Sequence, residues 1–123
     1  GIKVKSMYII GMPTETEETF KETVSYAKKI KSSYAQFSVF TPYPGTPVYN
    51  EYKNKIIAKK YEEFTQWQLV FEHKNLSKEK VLDLLNYSYK EYYTNPKWAI
   101  DFLLNKIKYL YENFSNRLFR IFR

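Results

Sequence analysis

Residues 4–47 read VKSMYIIGMPTETEETFKETVSYAKKIKSSYAQFSVFTPYPGTP, and the spacing of their apolar residues decides the fold. Val4 to Ile10 is a short, β-branched apolar run that stops at Gly11-Met12-Pro13, the pattern of a strand. Thr14 to Lys31 then changes period. Phe20, Val24, Ala27, Ile30 and Tyr34 recur at steps of three and four, which is one helix face. Thr14 or Thr16 can cap the first turn, and Thr14-x-x-Glu17 fits a capping box. Glu15, Glu17, Glu18 and Glu22 come early, Lys28, Lys29 and Lys31 late, an order that complements the helix dipole. From Tyr34 to Thr41 the period returns to two, with Ala35, Phe37 and Val39 alternating with Gln36, Ser38 and Phe40. Strand, helix and strand in so short a span make a βαβ unit with a parallel pair.

Parallel sheets are covered by helices, and Ala35, Phe37 and Val39 suit the helix-facing side. Gln36 and Ser38 then face the opposite way, into a lumen or cleft. Polar groups there need partners: each other, water or a ligand. Thr41-Pro-Tyr-Pro-Gly-Thr-Pro47 is a stiff loop at the C-terminal end of that strand, where α/β proteins bind ligands. Thr46 and Pro47 suit the cap and first residue of a short helix through Val48, Tyr49 and Tyr52.

Beyond residue 58 the pattern is mostly helical. A short helix is expected over Lys59 to Trp67 and an edge strand over Gln68 to Glu72. Ser77 caps a helix reaching Tyr93, with Leu76 placed to staple onto Val81 and with Leu84, Leu85, Ser88 and Tyr92 on its buried face. Asn95-Pro96 opens another, with Phe102, Leu103, Ile107, Leu110 and Phe114 as its apolar face. The expected division is 1–58, the α/β part, and 59–123, a helical C-terminal extension. Gly1 reads as the cap of an upstream helix, so a preceding segment is expected.

Composition excludes several kinds of function. Forty-four per cent hydrophobic and 20% aromatic residues among 123 can build a core. With no Cys there is no disulfide scaffold and no thiolate metal site. His73 is the single His, too few for a His metal cluster or a Ser-His or Cys-His relay of the usual kind. There is no Gly-rich phosphate loop, no GxSxG and no HExxH. Glu17/Glu18 and Glu62/Glu63 are adjacent in sequence, so on a helix they diverge and read as solvated surface. Tyr87, Tyr89, Tyr92 and Tyr93 fit helix packing better than base stacking. No apolar run approaches the ~20 residues of a membrane span.

The formal net charge is +7, from 20 Lys+Arg against 13 Asp+Glu. The Lys are dispersed among acids, whereas Arg117, Arg120 and Arg123 all lie in the tail. Nucleic-acid recognition concentrates Arg on one element, so the dispersed Lys read as solvated surface. The tail from Ser115 mixes Leu118, Phe119, Ile121 and Phe122 with those Arg, a basic amphipathic end suited to anionic lipid or to packing on protein.

Two segments resemble radical S-adenosylmethionine (SAM) enzymes, in particular the class with an N-terminal cobalamin-binding domain. Met7-Tyr-Ile-Ile-Gly-Met-Pro-Thr-Glu-Thr-Glu-Glu-Thr-Phe20 is similar to the fifth barrel strand and its turn into the next helix. Tyr34-Ala-Gln-Phe-Ser-Val-Phe-Thr-Pro-Tyr-Pro-Gly-Thr-Pro-Val-Tyr49 is similar to the sixth strand and its loop. Lys74-Asn-Leu-Ser77 and Tyr92-Tyr-Thr-Asn-Pro96 resemble the helical tail of the cobalamin class. The resemblance implies an α/β fold: the C-terminal fragment of a radical SAM partial TIM barrel, followed by a helical extension. It implies SAM and a [4Fe-4S] cluster across the open top, with cobalamin in the full-length protein. The cluster's CxxxCxxC loop belongs to the first strand and has no counterpart here.

Carried onto this chain, the resemblance implies that Ile9 lies against the adenine, that Gly11 makes the tight strand-to-loop turn, and that Glu15 is the acid after it. Gln36 and Ser38 match interior-facing positions of the sixth strand. Thr14 stands where the family commonly has Gly. The chain alone is expected to be inactive, and to work with a missing N-terminal radical SAM half and a cobalamin-binding domain on a small-molecule or lipid-like substrate. The expected location is cytoplasmic, with peripheral contact at the inner membrane face through the tail. The competing reading is a non-enzymatic basic adaptor for RNA or an anionic membrane surface. A methylthiotransferase-like fragment acting on tRNA fits less well, because the helical tail does not resemble the β-barrel domain such members carry.

Overall fold

A computed structural model describes residues 2–121, with the side chains of Lys97 and of residues from 112 onward outside the description. The chain divides into two compact units, one ending at Tyr92 and one starting at Tyr93.

The first unit is built on two strands, β1 (Lys5–Ile10) and β2 (Tyr34–Val39), joined by helix α1 (Glu17–Ile30). They pair in parallel, Lys5 opposite Tyr34 through Ile10 opposite Val39. The expected βαβ unit is therefore present, and the molecule is α/β. Thr16, not Thr14, caps α1. Its Oγ accepts from the Thr19 amide at 3.3 Å, and Thr19 Oγ accepts from the Thr16 amide at 2.9 Å. The capping box expected from Thr14 and Glu17 thus lies two residues on. A hydroxyl at the third helical position fills the role expected of a carboxylate. Lys31 takes the left-handed conformation (φ 54°) that ends the helix.

Phe20, Val24 and Ala27 form the buried stripe of α1 as expected. Ile30 is 48% exposed, and Tyr34 opens β2 with its side chain exposed, so the stripe is shorter than the spacing predicts. Ala35, Phe37 and Val39 are buried, whereas Gln36 and Ser38 are half-buried, the expected alternation. Phe37 is the centre of the core. Its ring stacks on Tyr8 (5.3 Å between centroids) and meets Tyr89 and Tyr92 edge-on at 5.5 and 6.3 Å.

Thr46 and Pro47 cap and begin α2 (Pro47–Tyr52). The helix expected over Lys59 to Trp67 shrinks to one 3-10 turn, Tyr61–Glu63. Tyr61 and Trp67 are exposed, so no apolar face is buried to hold a helix there. The expected strand Gln68 to Glu72 is an antiparallel bridge of Phe71 with Ile56. Leu69, Val70 and Phe71 are buried consecutively, which abolishes the alternation of an edge strand. Phe71 gathers a second aromatic group, with Tyr52 at 5.2 Å and Phe40 at 5.8 Å.

Helix α3 (Lys78–Tyr93) starts where Ser77 Oγ accepts from the Lys80 amide at 3.1 Å. It buries Val81, Leu84, Leu85, Ser88 and Tyr92, as the sequence predicts. The Tyr92 hydroxyl donates to the Ser32 carbonyl at 2.6 Å, tying α3 to the end of α1.

The second unit is helix α4 (Pro96–Ile121) with its entry turn, in which Trp98 packs on Tyr93 and Phe102 at 4.7 and 5.0 Å. Its expected apolar face is exposed at Phe102, Leu103, Ile107 and Leu110. The single helix has no second element in its unit to cover that stripe. The readings placed on Gly1, on the side chains of Phe114, Arg117, Leu118, Phe119, Arg120 and Ile121, and on Phe122 and Arg123 lie outside the described residues.

Candidate functional site

The two faces of the β1–β2 pair differ. One carries Tyr8, Ile10, Ala35, Phe37 and Val39 and forms the core. The other carries Met7 and Ile9 opposite Gln36 and Ser38. Met7 and Ile9 are 68% and 61% exposed. Parallel sheets are ordinarily covered on both faces, so an apolar pair on the open one marks a surface built to be covered.

The two edges differ as well. Val4 and Ile10 carbonyls accept from Tyr34 and Phe40 amides at 3.1 and 2.7 Å. Main-chain groups alternate between edges along a strand, so those of Lys5, Met7 and Ile9 point away from β2, where no strand pairs. The outer edge of β2 is closed instead. The Phe37 amide donates to the Tyr89 hydroxyl (3.2 Å), that hydroxyl donates to the Phe37 carbonyl (3.0 Å), and the Val39 amide donates to the Gln66 carbonyl (2.8 Å). Among the described residues the sheet has two strands, and its unpaired edge is that of β1.

At the C-terminal end of β1 the chain turns at Gly11, with φ +72°. A Cβ there would lie a tight 3.3 Å from Val39 Cγ1, and the left-handed conformation favours glycine. Glu15 closes the turn. Its carboxylate accepts from the Gly11 and Met12 amides, and its own amide donates to the Met12 carbonyl at 2.8 Å. Burial pushes the Glu15 carboxyl above its ordinary value, against the two amide bonds and the nearby His73, which pull it down.

Gln36 and Ser38 meet a partner that the sequence did not suggest. Gln66 Oε1 accepts from Ser38 Oγ at 3.2 Å and from Gln36 Nε2 at 3.4 Å, and Gln36 Nε2 also reaches Ser38 Oγ at 3.3 Å. The three form one polar cluster beside Met7 and Ile9. Gln66 lies in the stretch where a short helix is expected, and no local pattern flags it as a partner of β2.

Ile9, Gly11 and Glu15 thus lie at one strand end, with Ser38 directly across from Ile9 and Gln36 one step along that face. Ile9 presents an apolar side chain on the open face next to the tight glycine turn. An iron–sulfur cluster does not fit the residues present. The chain has no Cys, and the described residues contain no group of His, Asp and Glu able to hold a metal. Among the described residues no helix is long and apolar enough to cross a membrane.

No protein-family model matches the chain. It is similar to an uncharacterized methyltransferase of Pyrococcus horikoshii, 30% identical over 99% of this chain and 27% of that protein. It is similar to the bacteriochlorophyllide d C-12(1)-methyltransferase of Chlorobaculum tepidum, 25% identical over 85% of this chain and 26% of that protein. A shorter match is to the tRNA-2-methylthio-N(6)-dimethylallyladenosine synthase of Ehrlichia canis, 42% identical over 45% of this chain and 12% of that protein. These relatives are enzymes, and they support the resemblance to the radical SAM superfamily. The chain spans about a quarter or less of their lengths.

Proposed function

We propose that this chain is the C-terminal flank of a radical SAM enzyme, of the cobalamin-associated class, acting in methyl transfer on a small-molecule or lipid-like substrate. The single observation that carries the reading is the β1–β2 pair. It is parallel, sealed at the outer edge of β2, and open at the edge of β1, as the last two staves of a partial barrel would be. The match to the two methyltransferases over 99% and 85% of the chain supports methyl transfer over the tRNA methylthiolation reading, whose relatives match 45% to 63%.

In this reading residues 1–58 supply barrel wall and residues 59–123 the helical extension. Ile9 packs against the adenine, Gly11 and Glu15 set the turn beside it, and Gln36 and Ser38 line the interior, held in place by Gln66. The cluster ligands and a cobalamin-binding domain come from a preceding segment. SAM, if bound there, would supply radical chemistry, and the wall contributed here would exclude water from it.

The test is SAM binding by the full-length enzyme. Ile9→Asp should weaken it by about tenfold or more, because a charge would sit against an apolar ring. A [4Fe-4S] absorption band from this chain alone, after treatment with iron and sulfide, would overturn the reading. So would salt-dependent RNA or vesicle binding that is lost on removal of Ser115 to Arg123, the behaviour of a basic adaptor.

A further inference from the structure

His73 and Asn75 reach back across the chain to the Gly11–Glu15 turn. His73 Nε2 lies 2.7 Å from the Met12 carbonyl oxygen. Its Nδ1 lies 3.1 Å from the main-chain nitrogens of both Asn75 and Leu76. The Asn75 side-chain amide donates to the carbonyls of Thr14 and Glu15 at 3.2 and 3.1 Å. These contacts fix the state of the imidazole. A carbonyl only accepts, so Nε2 carries the proton. Main-chain amides only donate, so Nδ1 carries a lone pair. The ring is neutral, in the Nε2–H form, and a proton on Nδ1 would confront two N–H groups.

We propose that His73, as this neutral tautomer, and Asn75 form a clamp that holds the Met12–Glu15 turn in its glycine-dependent shape. Both are positioning residues, acting only through main chain. The Met12 carbonyl is the hub, accepting from the Glu15 amide and from His73. Because Glu15 in turn holds the Gly11 and Met12 amides, loss of the clamp is transmitted to Gly11. Protonation of His73 breaks the two Nδ1 bonds and opens the clamp. Of the titratable groups around the ring, Glu15 faces it, while Glu72 and Lys74 flank it in the chain. The clamp rests on the proposed function only for its consequence on SAM.

His73 is the single His, so nitrogen NMR of the intact protein reports one imidazole. At mildly alkaline pH the expected pattern is a protonated Nε2 and a bare Nδ1; the opposite tautomer, or an averaged ring, overturns the proposal. On acidification the Gly11 and Glu15 amides should lose exchange protection in step with the imidazole signal. In His73→Asn, whose side-chain oxygen can replace Nδ1 but cannot reach Met12, the Glu15 amide should exchange about tenfold faster while Leu76 stays protected. What pH dependence of the turn remains there should be that of the Glu15 carboxyl alone. Should that variant not fold, Asn75→Asp removes the two side-chain donors and should speed the same turn amides. Exchange within about twofold of wild type in the folded variants defeats the clamp. Faster exchange with unchanged SAM binding leaves the clamp standing and counts against SAM at this turn.

Discussion

The Tyr89 hydroxyl bonds both main-chain groups of Phe37, accepting from the amide at 3.2 Å and donating to the carbonyl at 3.0 Å. A side chain from α3 thus occupies the place where a further strand would pair with β2. The same ring packs edge-on against Phe37, so edge and core are closed by one residue.

Tyr89→Phe keeps the ring and leaves both Phe37 groups without that partner. We expect a loss of about 1–3 kcal/mol. In urea unfolding the midpoint should fall with the slope unchanged.

Gly11→Ala imposes a side chain on a left-handed residue, at a cost of about 1–2 kcal/mol. It also presses a methyl toward Val39 Cγ1, which is itself buried. Gly45→Ala is the control, since φ is +89° there but the surrounding space is open. Thermal unfolding should show the Gly11 variant to be the less stable of the two.

Glu17 joins α1 to α3, with Oε1 2.7 Å from Lys21 Nζ and Oε2 2.7 Å from Lys80 Nζ. These hydrogen bonds lower its carboxyl from 4.5 to about 2. A lowered acid stabilises the fold above its unfolded value and loses that contribution as pH falls. The difference in melting temperature between wild type and Glu17→Gln should therefore be largest above pH 4.5 and fade toward about 2. It should be small and shrink in salt, because the pair is solvent-exposed.

Glu15 should behave in the opposite sense. Burial raises its value above 4.5, so its ionisation on raising the pH costs stability. Relative to wild type, Glu15→Gln should gain stability as the pH climbs past 4.5. A gain on acidification would refute that sign.

Phe37→Ala should cost about 3–5 kcal/mol, since the ring is fully buried among three others. Ile107→Ala, on the exposed stripe of α4, should stay within about 0.5 kcal/mol in chemical denaturation.

The βαβ unit was legible because apolar period alone specifies it: three-and-four spacing over Phe20, Val24 and Ala27, then alternation over Ala35 to Val39. Caps at Thr46 and Ser77 were legible for the same reason, being local. What the sequence hid is long-range. Gln66 bonds side chains 28 and 30 residues away, and His73 bonds a carbonyl 61 residues away. No local pattern names either partner, so only the folded chain reveals them. The expected helix at Lys59 to Trp67 failed because spacing without burial has nothing to stabilise it, as exposed Tyr61 and Trp67 attest.

The free side of β1 sets the behaviour of the purified chain. Main-chain groups at Lys5, Met7 and Ile9, which no strand pairs among the described residues, lie beside greasy side chains, with Lys5 the single lysine of the strand as deterrent against stacking. In solution at high concentration such a ribbon would recruit further copies of itself, and light scattering per unit mass should grow with protein concentration.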